Sequence, residues 1–589
     1  MVSWNRSSIS SDGMDLAVFE LEAPDAPADR PTAVLVHGWP DSHHLWDNVA
    51  PLLADDVRVI SYDTRGYGES TRPDQVEAYR LEHLAQDLFA VIDAVSPGVP
   101  VHVIGHDWGS VQAWEAVTTP GAEDRIKSFT SVSGPNLDFL GEWAHANITR
   151  PTPGNVGRAL SQVASSAYTA FFQLPVLPQA FFSAFGSEKV WTEFLHAVEG
   201  TPRENVSFAP TLREDMISGL RFYSANIREK LARPNPRPTV VPVLEVVNER
   251  DIALRPAIYD LTHTHANKLW RKNSATGHWL PYTNPTYLAD TAREFIAMIE
   301  NGTSSAPNTI DRARRLGPPQ KLGGKLAVIT GAGSGIGRET AYALAELGCE
   351  VVLADINVAG AEETATECKA KGVLSHVYDL DVSSTTAVNE FAENVRRAHG
   401  VPDIVVNNAG IALAGSALAA SDAQVDRLFD INLRGVISGS RAFGKQMVER
   451  GTGGHIVNLA SAAAFTPSRE LGLYSASKAG VLMFCESLRA ELAEHKIGVT
   501  AICPGIVHTN ITSVTEIAGT DDEEGNRKRI DAFYAKRGFT PDKVARDIAK
   551  AVLANKAVVP VTPEAKFGYR SYRFFPWASR IAARQKLTK

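Results

Sequence analysis

The spacing of apolar and polar positions changes several times along the chain, and the changes divide it. Short β-branched and aliphatic runs recur at 14–22, 33–36, 57–62 and 101–104, and between some of them, as over 81–95, apolar residues fall at helical spacing. Strands alternating with helices predict a mostly parallel sheet with helices on its faces. From about 136 to 237 the sheet pattern yields to helical, aromatic-rich sequence, and a strand at 243–247 then resumes it. Residues 301–324 are polar, basic and rich in Gly and Pro, with almost nothing apolar to bury, which predicts a linker. Beyond it the alternation restarts, with a buried-strand run at 325–330, a helical pattern at 338–347 and a second strand at 350–354. The expected organisation is therefore α/β throughout: a first region at 1–300 with an insertion, a linker at 301–324, a second region at 325–565, and a tail at 566–589.

A chain of 589 residues is too long for one core, and 44% hydrophobic with 21% charged residues is ordinary for a soluble globular protein. A net charge of −8 argues against a nucleic-acid binder. No run of about 18 apolar residues is present to span a bilayer, and residues 1–13 lack the apolar core of a signal peptide. The four cysteines, Cys349, Cys368, Cys485 and Cys503, all follow the linker and form no CxxC pair. Neither a disulfide framework nor a zinc site is expected, and a reducing cytoplasm fits. His43, His44, His263 and His265 lack a third ligand at metal spacing, so no metal is expected.

In the first region the fourth strand runs into Gly105-His106-Asp107-Trp108-Gly109. Glycines flanking a reactive residue between strand and helix are the mark of a nucleophile elbow, here with Asp107 at its tip. The strand at 243–247 leads to Asp251, and Gly277-His278-Trp279 follows later. Nucleophile, acid and base thus arrive in the order of the α/β-hydrolase fold. Glu249 and Asp138 remain alternatives for the acid.

Together these segments resemble the epoxide hydrolase and haloalkane dehalogenase branch of that family over about residues 14 to 300. An aspartate nucleophile displaces a leaving group from carbon to give an ester, which water activated by His278 can then cleave. The resemblance implies an N-terminal α/β-hydrolase fold with a helical cap at about 136–237. It also implies an oxyanion hole from the backbone amides of Trp39, in His37-Gly38-Trp39-Pro40, and Trp108. Epoxide hydrolases of this kind place two cap tyrosines on the epoxide oxygen. Tyr168 and Tyr223 lie in segments similar to theirs, which favours an epoxide over a halide.

In the second region a strand enters Gly331-Ala332-Gly333-Ser334-Gly335-Ile336-Gly337, and a helical pattern follows at once. Such a turn lets a pyrophosphate approach the backbone and the helix N-terminus. Asp355 ends the next strand, where a carboxylate binds the ribose hydroxyls of NAD. No Arg or Lys follows it directly, so NAD is expected over NADP. The remaining motifs resemble the short-chain dehydrogenase/reductase family and imply a Rossmann-type doubly wound parallel sheet. Asp381 and Val382 match its adenine contact, Asn408, Ala409 and Gly410 a turn beside the dinucleotide, and Pro504, Gly505 and Thr509 the loop at the nicotinamide. Asn432, Ser461, Tyr474 and Lys478 match its catalytic set. Tyr and Lys four apart share a helix face, and an ammonium near a phenol favours phenolate, so Tyr474 can exchange a proton with an alcohol or carbonyl.

The tail at 566–589 holds seven Lys or Arg, six aromatics and no acidic residue. Such a terminus can bind an anionic membrane surface peripherally, pack on a neighbouring domain, or stay solvated. The whole arrangement resembles an actinobacterial, especially mycobacterial, fusion of the epoxide hydrolase D type, which implies small-molecule or lipid-like substrates. The expected protein is a bifunctional enzyme, an epoxide hydrolase joined to an NAD(P)-dependent alcohol/ketone oxidoreductase, forming a homodimer or homotetramer by family analogy. Two other readings stay open: a dehalogenase-like first half, or one half serving only to bind or oligomerise.

Overall fold

The protein is described from a computed structural model at residues 3–302, 309–315, 317–318, 320–509, 515–519, 524–525, 532 and 538–584. The chain forms two compact units, one of residues 1–305 with 313–319, the other of 306–312 with 320–589.

The first unit is built on nine strands among the described residues: β1 Trp4–Ser11, β2 Met14–Leu21, β3 Thr32–Val36, β4 Arg58–Tyr62, β5 Val101–His106, β6 Ile126–Val132, β7 Val243–Asn248, β8 Leu269–Ser274 and β9 Arg314–Arg315. Their spatial order is β1-β2-β4-β3-β5-β6-β7-β8-β9. Pairing from β3 and β4 through to β8 is parallel, while β1, β2 and β9 join antiparallel. Central strands buried on both faces read as unbroken apolar runs, and β5 is buried at every position. The helix Leu81–Val95 buries Leu81, Leu84, Ala85, Leu88, Val91 and Ile92, the stripe its 3.6-residue repeat presents to the sheet. Between β6 and β7 the chain leaves the sheet for helices Leu137–Thr149, Pro153–Ser165, Ala167–Phe172, Leu177–Phe185, Glu188–Glu199 and Leu212–Ala232, which form the cap.

The second unit has one seven-stranded, wholly parallel sheet. Its strands are β10 Leu326–Thr330, β11 Glu350–Asp355, β12 Ser375–Asp379, β13 Ile404–Asn407, β15 Gly454–Leu459, β16 Ile497–Cys503 and β18 Val558–Pro560. Their order is β12-β11-β10-β13-β15-β16-β18, so the winding reverses between β10 and β13. A small parallel pair, β14 Leu413–Gly415 with β17 Glu516–Ala518, stands apart. Apolar layers cover both faces of the main sheet.

Beside the expected strands, the polar run Trp4–Ser11 pairs with β2 across an Asp12-Gly13 hairpin turn. Two expectations need correction. The linker is not without burial: Thr309–Ala313 is helical, Ile310 and Ala313 are each 1% exposed, and Arg314–Arg315 adds to β8. Short segments with little core of their own gain structure by joining finished ones. The tail boundary at 565 falls inside a helix, Pro563–Phe574, and a second helix, Pro576–Ala582, follows; residues 585–589 lie outside the described residues.

Candidate active sites

In the first unit β5 turns into the helix Trp108–Val117 through Asp107 at φ 51°, ψ −123°. The flanking glycines make this strained turn fit. A Cβ on Gly105 would lie 2.8 Å from the Gly109 carbonyl oxygen, and one on Gly109 would lie 2.1 Å from that of Val36. The Asp107 carboxylate therefore stands at the carboxyl end of the sheet. The Trp39 amide donates to its Oδ2 at 2.8 Å, while Trp108 is the first helical residue, whose N–H has no acceptor within the helix.

His278 Nε2 lies 3.5 Å from Asp107 Oδ1, and its Nδ1 is hydrogen-bonded to Asp251 Oδ2 at 2.8 Å. Asp251 Oδ1 accepts from the amides of Ala253 and Leu254 at 2.8 and 2.9 Å. The two alternative acids are engaged elsewhere: Asp138 with Lys230 at 3.1 Å and the Asn235 amide at 3.0 Å, Glu249 with Asn273 at 3.1 Å. Burial disfavours the charged form of His278, but the Asp251 and Asp107 carboxylates outweigh it and hold its pKa well above the ordinary histidine value. For Asp251, burial is outweighed by His278 and the two amides, so its pKa is lowered.

Two carboxyl groups beside the base escaped the sequence reading. Glu199 ends a cap helix, and its Oε1 and Oε2 accept the backbone N–H groups of His278 at 2.6 Å and Trp279 at 3.0 Å. A Cβ on Gly277 would fall 2.4 Å from the Glu199 carboxyl carbon, so the residue before the base must be small. Nothing in the sequence marks Glu199. Asp41, directly after His37-Gly38-Trp39-Pro40, accepts from Trp279 Nε1 at 3.1 Å and the Tyr282 hydroxyl at 3.0 Å. Burial, ahead of those bonds, raises its pKa to about 7.

The cap brings both tyrosines to this end of the sheet. The Tyr223 ring, on Leu212–Ala232, is 4.9 Å from that of Trp108 and 6.1 Å from that of Tyr168. Burial first, and the Asp107 charge among the other causes, raises both phenol pKa values, so both hydroxyls stay protonated as donors. Burial lowers His106, whose Nε2 meets the His278 carbonyl at 2.9 Å, to about 4, which leaves it neutral beside the base.

In the second unit a cleft of about 1460 Å³ opens where the winding reverses. Of the residues assigned to this site from sequence, all but Gly337 and Asn432 line it. Gly331 and Gly335 have φ of 65° and 56°, and a Cβ on Gly337 would lie 2.1 Å from the Gly331 carbonyl, so Gly337 serves close packing of the turn. The cleft then runs from the N-terminus of the helix Gly335–Ala345 past Asp355. Its size, its glycine cradle and its carboxylate fit a nicotinamide dinucleotide. Asp355 accepts from the amides of Gly333 at 2.7 Å and Asn357 at 2.8 Å.

Tyr474 and Lys478 share the helix Gly472–Glu491, with Lys478 Nζ 5.9 Å from the Tyr474 ring centre and donating to the Leu459 carbonyl at 2.8 Å. Burial lowers the Lys478 pKa to about 8. Ser461 Oγ accepts from the Ala463 amide at 3.1 Å. Asn432 is fully buried in a π-helical turn, Asp430–Gly435, and exchanges two 2.9 Å bonds with the Ile411 backbone. A Cβ on Gly410 would meet Asn432 Oδ1 at 3.1 Å and Lys478 Nζ at 3.4 Å, so Asn432 stands behind the cleft wall beside the lysine. Glu564 was missed: it lines the cleft and its Oε1 accepts from the Ile506 amide at 2.9 Å. Glu350, His376 and His399 cluster closely enough to suggest a metal site, but Arg312 lies 2.9 Å from the Glu350 carboxylate and Tyr378 bonds His399 Nε2 at 2.8 Å. That cluster is a polar brace.

The folds and these sites define an NAD(P)-dependent short-chain oxidoreductase fused to an α/β-hydrolase unit. The family described as short chain dehydrogenase matches residues 325–517, and the alpha/beta hydrolase fold family matches 31–156. The oxidoreductase EphD of Mycobacterium tuberculosis is 44% identical over 588 residues, 98% of both chains. The chain belongs to the EphD family. A 2,3-dihydro-2,3-dihydroxybenzoate dehydrogenase of Bacillus subtilis is 34% identical over 39% of this chain and 88% of its own. A short-chain dehydrogenase/reductase of Burkholderia phymatum, solved in complex with NAD, is 27% identical over 45% of this chain and 98% of its own, with a TM-score of 0.42.

Proposed function

We propose that the first unit hydrolyses an epoxide to a vicinal diol, and that the second interconverts an alcohol and a ketone with NAD. The observation that carries the first reading is a base held between Asp251 and Asp107, at the same end of the sheet as two protonated cap tyrosines. In ring opening, an Asp107 oxygen bonds the epoxide carbon, the C–O bond breaks, and Tyr168 or Tyr223 protonates the alkoxide. Asp107 is then a neutral ester, so one of the two carboxylates raising His278 is gone. The imidazole loses its proton more readily, passes it to the tyrosinate left by ring opening, and can then take one from water, which attacks the ester carbonyl. The Trp39 amide, with that of Trp108, stabilises the resulting oxyanion, which collapses with cleavage of the ester C–O bond; the departing alkoxide takes up the carboxyl proton, giving the diol and restoring the Asp107 carboxylate.

In the second unit a bound nicotinamide supplies the hydride-transfer chemistry. Tyr474 moves the proton at the substrate oxygen, Ser461 orients that oxygen, and Lys478 lowers the cost of the phenolate. Asp355 and the lack of an adjacent basic residue favour NAD. The apolar, aromatic walls around Asp107 suit lipid-like epoxides. A vicinal diol is itself an alcohol, so the first product belongs to the substrate class of the second site.

The test is an epoxide panel and an alcohol panel with each site disabled in turn. Asp107→Ala should abolish only diol formation and Tyr474→Phe only nicotinamide turnover. Unchanged activity in either variant would refute the corresponding assignment.

A further inference from the structure

The helices Pro563–Phe574 and Pro576–Ala582 carry an apolar and basic surface that neither site uses. Phe567 is 74% exposed, Phe574 69% and Trp577 63%. Exposed Lys566, Arg570, Arg573 and Arg580 stand among them. Residues 566–589 hold seven Lys or Arg and no Asp or Glu, in a chain of net charge −8. Monomer surfaces rarely leave large aromatics out in a contiguous group without a partner.

The same segment is fastened to the rim of the dehydrogenase cleft. Tyr569 packs edge-on against Phe465 at 5.2 Å, a Cβ on Gly568 would lie 2.7 Å from Thr466 Oγ1, and the Arg469 amide donates to the Ala583 carbonyl at 3.2 Å. Thr466, Arg469 and Glu564 all line the cleft.

We propose that the exposed face of residues 566–584 docks on an anionic lipid surface and holds the rim of the dehydrogenase cleft against it. Aromatic side chains settle at the headgroup level while the basic ones pair with lipid phosphates. Charge selects this occupant. A second copy packed face to face would oppose two basic surfaces, whereas an anionic bilayer complements both the charge and the exposed rings. Amphiphilic alcohols then reach Tyr474 from the membrane. This consequence rests on the alcohol–ketone reading above; the docking does not.

The test uses the full chain and vesicles of phosphatidylcholine with or without phosphatidylglycerol. Two variants are compared with the unaltered protein: Phe574→Ser with Trp577→Ser, and Arg570→Gln with Arg573→Gln. The unaltered protein should sediment with phosphatidylglycerol vesicles, and each variant should bind roughly tenfold more weakly or less. Both should retain turnover of a short water-soluble alcohol. Failure to sediment with either vesicle, or equal binding by the variants, overturns the proposal. So does a dimer that the variants dissolve without any vesicle binding, since a second copy would then be the occupant. Vesicle binding without alcohol turnover by the unaltered protein would sink the substrate reading and leave the docking supported.

Discussion

The carboxylate of Glu199 accepts the backbone N–H of His278 at 2.6 Å, so a cap residue holds the loop that carries this histidine. The same carboxylate holds the Trp279 amide, and Asp41 holds the Trp279 indole, which fixes this loop from the cap and from the sheet. Cap position and base position are thereby mechanically joined.

Replacing Glu199 with Ala removes two charge-assisted bonds, each worth about 1.5–3 kcal/mol. Water attack on the ester should slow by roughly tenfold or more, and the covalent Asp107 adduct should accumulate during turnover. Glu199→Gln keeps an acceptor and should lose less. Intact-mass spectrometry of rapidly quenched reactions reads the adduct; equal adduct levels in all three proteins would show that the strap does not position His278.

The raised pKa of His278 depends in part on Asp107, so Asp107→Asn should lower it. A histidine whose folded pKa is raised contributes stability fully below its unfolded value, near 6.5, and loses it as pH rises through the folded value. The unaltered protein should therefore lose this stabilisation above about pH 6.5. In Asp107→Asn the loss should be smaller and end at lower pH. NMR titration of the imidazole, with urea unfolding at several pH values, checks both points.

Lys478 is costly to the resting fold. Its folded pKa near 8 lies below the unfolded value, so the penalty of its buried charge is fully present below pH 8 and fades as pH rises towards about 10.4. Lys478→Met should abolish nicotinamide turnover while stabilising the second unit at pH 7 by up to about 3 kcal/mol, at about 1.36 kcal/mol for each tenfold change in proton affinity. The lost bond to Leu459 offsets part of that gain, and the gain should shrink at pH 10 in denaturant titrations. An equal gain at both pH values would show that the lysine is not held in a raised-energy charged state.

Asp355 bears on the choice of dinucleotide. Asp355→Ser removes a carboxylate that would repel a 2′-phosphate, and should move the NADP-to-NAD ratio of kcat/KM by roughly tenfold or more towards NADP. An unchanged ratio would show that the carboxylate does not meet the ribose.

The sequence by itself determined two α/β folds and singled out most of the residues that the structure gathers at the two candidate sites, because these are written in local signals. Glycines at the turns around Asp107 and at 331–337 are required by backbone conformation and close approach, and the Tyr474–Lys478 spacing follows from the helix repeat. It also placed Asp251 and His278 in the chain order of the α/β-hydrolase fold, yet left Asp138 and Glu249 open. Only the tertiary structure puts Asp251, rather than Asp138 or Glu249, on His278 Nδ1, because proximity across the sheet has no fixed sequence separation. The same reason hid Glu199, 79 positions from the histidine it holds, and the π-helical turn that sets Asn432 behind Gly410. Composition made the linker look free of structure and left the packing of the tail open, since it measures what a segment can bury alone. Arg314–Arg315 on β8 and Tyr569 on Phe465 take their order from neighbours folded elsewhere in the chain.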